Sequence, residues 1–102
     1  MRRLRAVPAS PEILEKIETK HGLDFEEIES VFRRPHLVLR GGEDQYGERR
    51  YSSLGRTVAG RYILVVYVIE KPDVARVITA RDLTLRERAY YQRAFGRREN
   101  RP

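Results

Sequence analysis

Apolar residues recur along this chain in two rhythms, a helical one at both ends and a strand-like one between them. Near the N-terminus, Ile13, Leu14 and Ile17 form a stripe at helical spacing. Ser10-Pro11-Glu12 reads as the start of that helix. Ser10 can cap it, Pro11 suits the first helical position, and Glu12 favours the positive end of the dipole. Gly22 stops it, because glycine takes the left-handed conformation after a last turn. A second helix follows from Asp24, where Asp24-x-x-Glu27 has the form of a capping box. Phe25, Ile28, Val31 and Phe32 give it a core face, and Pro35 ends it. Joined by His21-Gly22-Leu23, the two helices make a hairpin.

The middle of the chain reads as strands. The spans are 36–40, ended by Gly41-Gly42, then 48–55, then 61–70, then 74–81. Between them lie a polar loop at 43–47, a turn at 57–60 and the turn Lys71-Pro72-Asp73. The third span is the densest in Val, Ile and Tyr. Ile63, Val65, Tyr67 and Ile69 line one face, and Tyr62, Leu64, Val66 and Val68 line the other. A strand apolar on both faces belongs in the middle of a covered sheet. Thr84-x-x-Glu87, a second capping-box pattern, opens a last helix through Tyr90, Tyr91, Ala94 and Phe95 to Gly96. The sequence thus predicts an α+β fold in the order α-α-β-β-β-β-α, with a four-stranded antiparallel sheet and helices on at least one face. It forms one domain over 10–96. A basic arm at 1–9, either disordered or a short edge strand, precedes it, and a basic tail at 97–102 follows.

Composition narrows the function. With 102 residues there is room for one modest core. The absence of cysteine excludes a disulfide framework, a thiolate metal site and a cysteine nucleophile. No apolar run approaches the roughly 20 residues of a membrane span, and the basic N-terminus lacks an apolar signal core. A cytoplasmic protein is the expectation. The net charge is +6, from 21 Lys and Arg against 15 Asp and Glu. All the bases are arginine except Lys16, Lys20 and Lys71. Arginine grips phosphate through two parallel hydrogen bonds, which lysine cannot do. The charge is also uneven. Seven acids against Lys16 and Lys20 give residues 12–29 a charge of −5, whereas eight arginines against Asp82, Glu87 and Glu99 give residues 76–102 a charge of +5. One end repels a polyanion and the other attracts it. No HExxH, paired-Asp metal pattern or Gly-rich phosphate loop is present, so neither a metal nor a cofactor is expected.

Several blocks together resemble the BrnT family. They are Lys20-His21-Gly22-Leu23-Asp24-Phe25-Glu26-Glu27 with Val31-Phe32, then Gly47-Glu48-Arg49-Arg50-Tyr51, Leu54-Gly55-Arg56 and Gly60-Arg61-Tyr62. Arg76-Val77-Ile78-Thr79-Ala80-Arg81, Arg86-Glu87-Arg88 and Tyr90-Tyr91 complete the series. The likeness covers about residues 11–95. It implies a toxin of a bacterial type II toxin–antitoxin pair, with a fold similar to the RelE ribonucleases. It further implies metal-free RNA cleavage and silencing by a cognate antitoxin of the ribbon-helix-helix type in a hetero-oligomer. The family usually opens with an aromatic-x-Trp-Asp segment. Here that place holds Val7-Pro8-Ala9-Ser10, and the chain has no tryptophan.

A metal-free ribonuclease uses the neighbouring 2′-hydroxyl as nucleophile. The protein assists by moving protons and stabilising charge at phosphorus. Arg81, Glu87 and Tyr91 gather at the last strand–helix junction, joined by Arg61 or Arg49 from neighbouring strands, and form the candidate catalytic cluster. His21 is a further candidate proton carrier, ahead of His36. Arg49, Arg76, Arg86 and Arg88 are candidate RNA-binding residues. Arg76 and Arg81 have opposite parity on one strand and should face opposite ways unless the strand twists or bulges. Each candidate also has a structural reading. Glu87 can be a cap acceptor or the ion-pair partner of Arg81, and Tyr91 a core ring. Arg61 can be a turn charge, Arg76 a buried partner of an acid, and His21 a residue favoured by the negative helix end. Two other functions remain open. One is a partner-binding domain that keeps the toxin fold without activity, and the other is a basic nucleic-acid-binding module.

Overall fold

The segment with two apolar faces lies at the centre of the sheet. The computed structural model describes residues 4–99. In chain order the elements are β1 (Arg5–Pro8), α1 (Pro11–His21), α2 (Phe25–Phe32), β2 (Leu37–Glu43), β3 (Arg49–Arg56), β4 (Tyr62–Lys71), β5 (Val74–Asp82) and α3 (Leu85–Glu99). The spatial order is β1-β5-β4-β3-β2. β2 through β5 are antiparallel neighbours, and β1 lies parallel to β5.

Three expectations change. The sheet has five strands and is mixed, and the order begins with a strand, because residues 5–8 of the basic arm pair with 74–77. Ala6 explains the pairing without a tryptophan: it is buried in the main core beside Ala75. β2 runs on through Gly41-Gly42, with its register shifted between Arg40 and Glu43. α3 continues past Gly96 to Glu99, so the expected tail begins inside a helix. Residues 1–3 and 100–102 of the expected arm and tail lie outside the described residues.

Alternation along β4 sends its side chains into two cores. Ile63, Val65 and Tyr67 meet Ile17, Leu23, Ile28, Val31 and Phe32 of the helical hairpin. Leu64, with Leu54, meets Tyr91 of α3, and Tyr62, Val66 and Phe95 pack around them. Helices therefore cover both faces. Tyr67 is fully buried, and its hydroxyl is 2.9 Å from that of Ser53. The caps read from sequence hold. Ile13 N–H donates to Ser10 Oγ (3.2 Å), and Glu27 N–H donates to Asp24 Oδ1 (2.8 Å). Gly22, at φ 62°, ends α1. Among the described residues no helix is long and apolar enough to cross a membrane.

Gly55 marks a close approach of α2 to the sheet. A Cβ there would lie 2.7 Å from Val31 Cγ1 and 3.2 Å from His36 Cβ. Gly55→Ala should cost ~1–3 kcal/mol by overpacking. In urea unfolding, Val31→Ala should cost less in the Gly55→Ala background than in the wild type. Equal costs in both backgrounds would show that the close approach is not what limits residue 55.

Candidate functional site

β5 is irregular at the place that matters. Val66 pairs with Thr79 and Tyr67 with Val77, so Ile78 is an extra, unpaired residue and the alternation resets across it. Arg76 then lies opposite Val68, and Arg81 opposite Leu64. Both belong to the face that carries α3, so the bulge, the exception the sequence left open, is what unites them. β3 adds Arg50, opposite Val68, and Arg56, opposite Tyr62, to that face. The sheet thus presents a row of arginines beside α3.

At the strand–helix junction Arg81 and Glu87 are in direct contact. Arg81 Nη1 and Nη2 donate to Glu87 Oε1 and Oε2 at 2.8 and 2.9 Å, and Nη1 also donates to the Asp82 carbonyl at 3.0 Å. The capping box is complete: Thr84 N–H donates to Glu87 Oε1 (2.9 Å), and Glu87 N–H donates to Thr84 Oγ1 (3.1 Å). The Arg81 hydrogen bonds, foremost, and the Thr84 bonds hold the Glu87 carboxyl at about 2, against an ordinary 4.5. Glu87 is therefore ionised and doubly engaged at neutral pH. Three of the five guanidinium donors of Arg81 are used. Its Nε–H and second Nη2–H, the side edge of the fork, have no partner among the described residues. Tyr91, the third member of the expected cluster, is buried. Its ring meets Tyr62 edge-on at 5.7 Å and Phe95 at 5.0 Å.

Arg61 and His21 lie elsewhere. Arg61 is on the hairpin face, where Nε and Nη2 donate to both oxygens of Asp82 at 2.7 and 3.0 Å. The same guanidinium donates to the Gly22 carbonyl (3.0 Å) and to the His21 carbonyl at the C-terminus of α1. Its hydrogen bonds hold the Asp82 carboxyl below the ordinary range. This arrangement satisfies helix-end carbonyls and ties the hairpin to the sheet. The His21 side chain lines a groove with Ile13, Lys16, Ile17 and Lys20, against Ile78 and Thr79. His36 stands against Phe32 on the hairpin side, with Nδ1 2.8 Å from the Arg34 carbonyl.

The remaining expected residues spread along the molecule. Arg49 donates to the Gly41 carbonyl (2.8 Å) and to Glu43 (3.2 Å) at the β2–β3 hairpin, away from Arg81. Arg76 donates to both oxygens of Glu48 at 3.0 Å. Arg50 lies 3.8 Å from Asp44. The N–H of Glu48, foremost, and that of Tyr46 stabilise the Asp44 carboxylate and lower its pKa. Arg86 is exposed on the first turn of α3. The Arg88 guanidinium sits 4.1 Å from the centre of the Tyr62 ring, with that of Arg56 at 5.3 Å.

Arg56, Tyr62 and Arg50 were not among the residues singled out by sequence. Their signal was the turn. Thr57 N–H donates to the Arg61 carbonyl (2.8 Å), which leaves a three-residue loop ending in Gly60 at φ 91°. That loop sets Arg56 opposite Tyr62. Among the described residues no three His, Cys, Asp or Glu side chains gather to hold a metal ion.

Two outcomes test these assignments. The depressed Glu87 pKa contributes stability above about pH 4.5 that is lost as pH falls toward 2. Wild type should lose ~1–2 kcal/mol more than Glu87→Gln across that window, allowing for the solvent around the pair. Parallel acid profiles in urea melts would deny the pair that role. At neutral pH, Arg61→Ala should cost ~1–3 kcal/mol, and Arg61→Lys should not restore it, because lysine cannot span the carboxylate and the carbonyls together. Full recovery in the lysine variant would show that charge alone suffices.

The model of BrnT, the ribonuclease toxin of type II toxin–antitoxin systems, matches residues 14–87. That span runs from α1 to the Glu87 cap and leaves β1 and the rest of α3 outside it. No curated protein matches the chain. With the greater part of its length matched, the chain belongs to the BrnT family of ribonuclease toxins of type II toxin–antitoxin systems.

Proposed function

We propose that this chain is an endoribonuclease toxin that cuts RNA on the α3 face and is silenced by a cognate antitoxin of the ribbon-helix-helix type. The observation that carries the reading is the bulge at Ile78, which brings Arg76 and Arg81 onto one face with Arg50, Arg56 and Arg88. In this reading Arg81 is the central residue. Glu87 fixes one edge of its guanidinium, and the free edge presents two parallel donors to a phosphate. The 2′-oxygen attacks phosphorus as its proton passes to water, the bond to the 5′-oxygen breaks and that oxygen takes a proton from water, leaving a 2′,3′-cyclic phosphate and a 5′-hydroxyl. No metal is needed for that step, since the guanidinium stabilises charge as it develops on the phosphoryl oxygens. Glu87 positions Arg81, and Tyr91 seats α3 on the sheet. Arg76, Arg86 and Arg88 hold the flanking strand, whereas Arg49, of opposite parity to Arg50 and tied to Gly41 and Glu43, is left out of it. Arg61 and His21, on the far face, keep the hairpin in place.

One observation favours a second reading, a partner-binding domain without activity. Glu87 is fully engaged, and both histidines lie on the hairpin side, so among the described residues the α3 face offers no unpaired acid or imidazole for proton transfer.

Induction of the chain alone in a bacterium separates the two. The expected result is growth arrest with loss of RNA, and fragments ending in a 5′-hydroxyl. Arg81→Ala at equal expression should abolish both, a loss of at least ~100-fold in cleavage rate if the guanidinium supplies the main charge stabilisation. Soluble, folded wild-type protein that causes neither arrest nor cleavage would favour the second reading.

A further inference from the structure

Six of the described arginines are neutralised by an acid. Arg33, Arg49, Arg50, Arg61, Arg76 and Arg81 each lie within 4.0 Å of a carboxylate. Arg56 and Arg88 do not, yet they come from different elements to the same aromatic ring. Arg56 is the last residue of β3 and the direct cross-strand neighbour of Tyr62. Arg88 is on the first turn of α3, whose start is fixed to β4 by Leu83 N–H donating to the Tyr62 carbonyl at 3.1 Å. Their guanidinium carbons lie 5.3 and 4.1 Å from the ring centre. The ring attracts each cation but does not cancel its charge. Two like charges on one ring repel each other, and an anion beside them relieves that repulsion.

The nearest acid cannot play that part. Asp82 lines the same depression as Tyr62, Leu83 and Arg88, but Arg61 already holds both of its oxygens. The Glu87 oxygens are likewise taken by Arg81 and the Thr84 N–H. The spot therefore keeps two uncompensated positive charges, both exposed to solvent.

We propose that Arg56 and Arg88, aligned on Tyr62, form a second phosphate subsite, which takes the RNA phosphodiester adjoining the one gripped by Arg81. The inference rests on the reading of RNA as substrate. The spacing suits it. Leu83 stands opposite Tyr62, as Arg81 stands opposite Leu64, so Tyr62 and Arg81 are diagonal neighbours on one face, about 7–8 Å apart. Tyr62 is a positioning residue here. It orders two long side chains in advance, so less freedom is lost when the anion binds.

The test is binding of a short fluorescent RNA made of 2′-O-methyl nucleotides, which lacks the nucleophile and stays uncut. Anisotropy would be followed over a range of salt concentrations. Arg56→Ala and Arg88→Ala should each weaken binding about tenfold and lower the salt slope by about 0.7. Lysine at either position should restore the slope but not the full affinity. Arg34→Ala, which removes an exposed charge beyond the end of α2, is the control for net charge and should change affinity less than about twofold. Melting curves would confirm that each variant is folded. Variants that bind with wild-type affinity and slope, or an Arg34→Ala loss as large as theirs, would overturn the subsite and leave the ribonuclease reading standing. A wild type that binds no RNA would overturn both.

Discussion

One extra residue in β5 decides what this sheet can present to solvent. A regular strand would carry Arg76 on one face and Arg81 on the other. The first would then meet the helical hairpin, where the core is Ile28, Val31, Phe32 and Tyr67. A guanidinium there would be buried among apolar side chains at a cost of several kcal/mol. With Ile78 unpaired, Ala75, Val77 and Ala80 fill the hairpin core, while Arg76, Thr79 and Arg81 turn to the α3 face. β1 ends at Pro8, opposite Val77, so the bulge falls where β5 loses its outer neighbour. An unpaired residue is cheapest there, because it interrupts one ladder and not two.

Arg61 and Arg81 show how neighbouring positions can take the same chemistry to different ends. Each is held by a carboxylate through two hydrogen bonds. Arg61 spends two further donors on carbonyls at the end of α1, closing a helix terminus that would otherwise need water. A single Nη1–H is left over, which cannot form a two-pronged grip. Arg81 keeps an edge free, because its acid is already fixed by the cap of α3. A guanidinium oriented in advance loses little entropy when it meets a phosphate. Geometry thus separates a structural arginine from a functional candidate, although both sit at strand ends and both pair with acids.

Much of this was legible in the chain. The helix caps at Ser10, Asp24 and Thr84, the stop at Gly22 and the two-faced β4 follow from local chemistry, and each appears as read. Capping patterns are visible because they span only a few residues. The fifth strand was only half legible: the basic arm could be disordered or a short edge strand, and Arg5–Pro8 becomes a strand because β5 offers an edge. The bulge was hidden for a related reason. Ile78 is as good a strand residue as its neighbours, and only the pairing of Thr79 with Val66 reveals that it is skipped. Arg61 was misplaced because parity alone does not say which face bears which helices. Tyr62 was read as core, and its contact with Arg88 depends on the direction in which α3 leaves the sheet.

The charge separation seen in sequence gains a direction in the fold. The acids of residues 12–29 belong to α1, α2 and the turn between them, on one side of the sheet, and Arg50, Arg56, Arg76, Arg81 and Arg88 line the other. A polyanion is repelled from the first side and drawn to the second, and the field orients the molecule before contact. The same field acts on any silencing partner that covers the α3 face. Such a partner must bring acids to meet Arg56 and Arg88 or leave two desolvated cations behind, and the second course costs several kcal/mol. On the proposed reading, acidic residues in the covering segment would compete with RNA for the same guanidiniums.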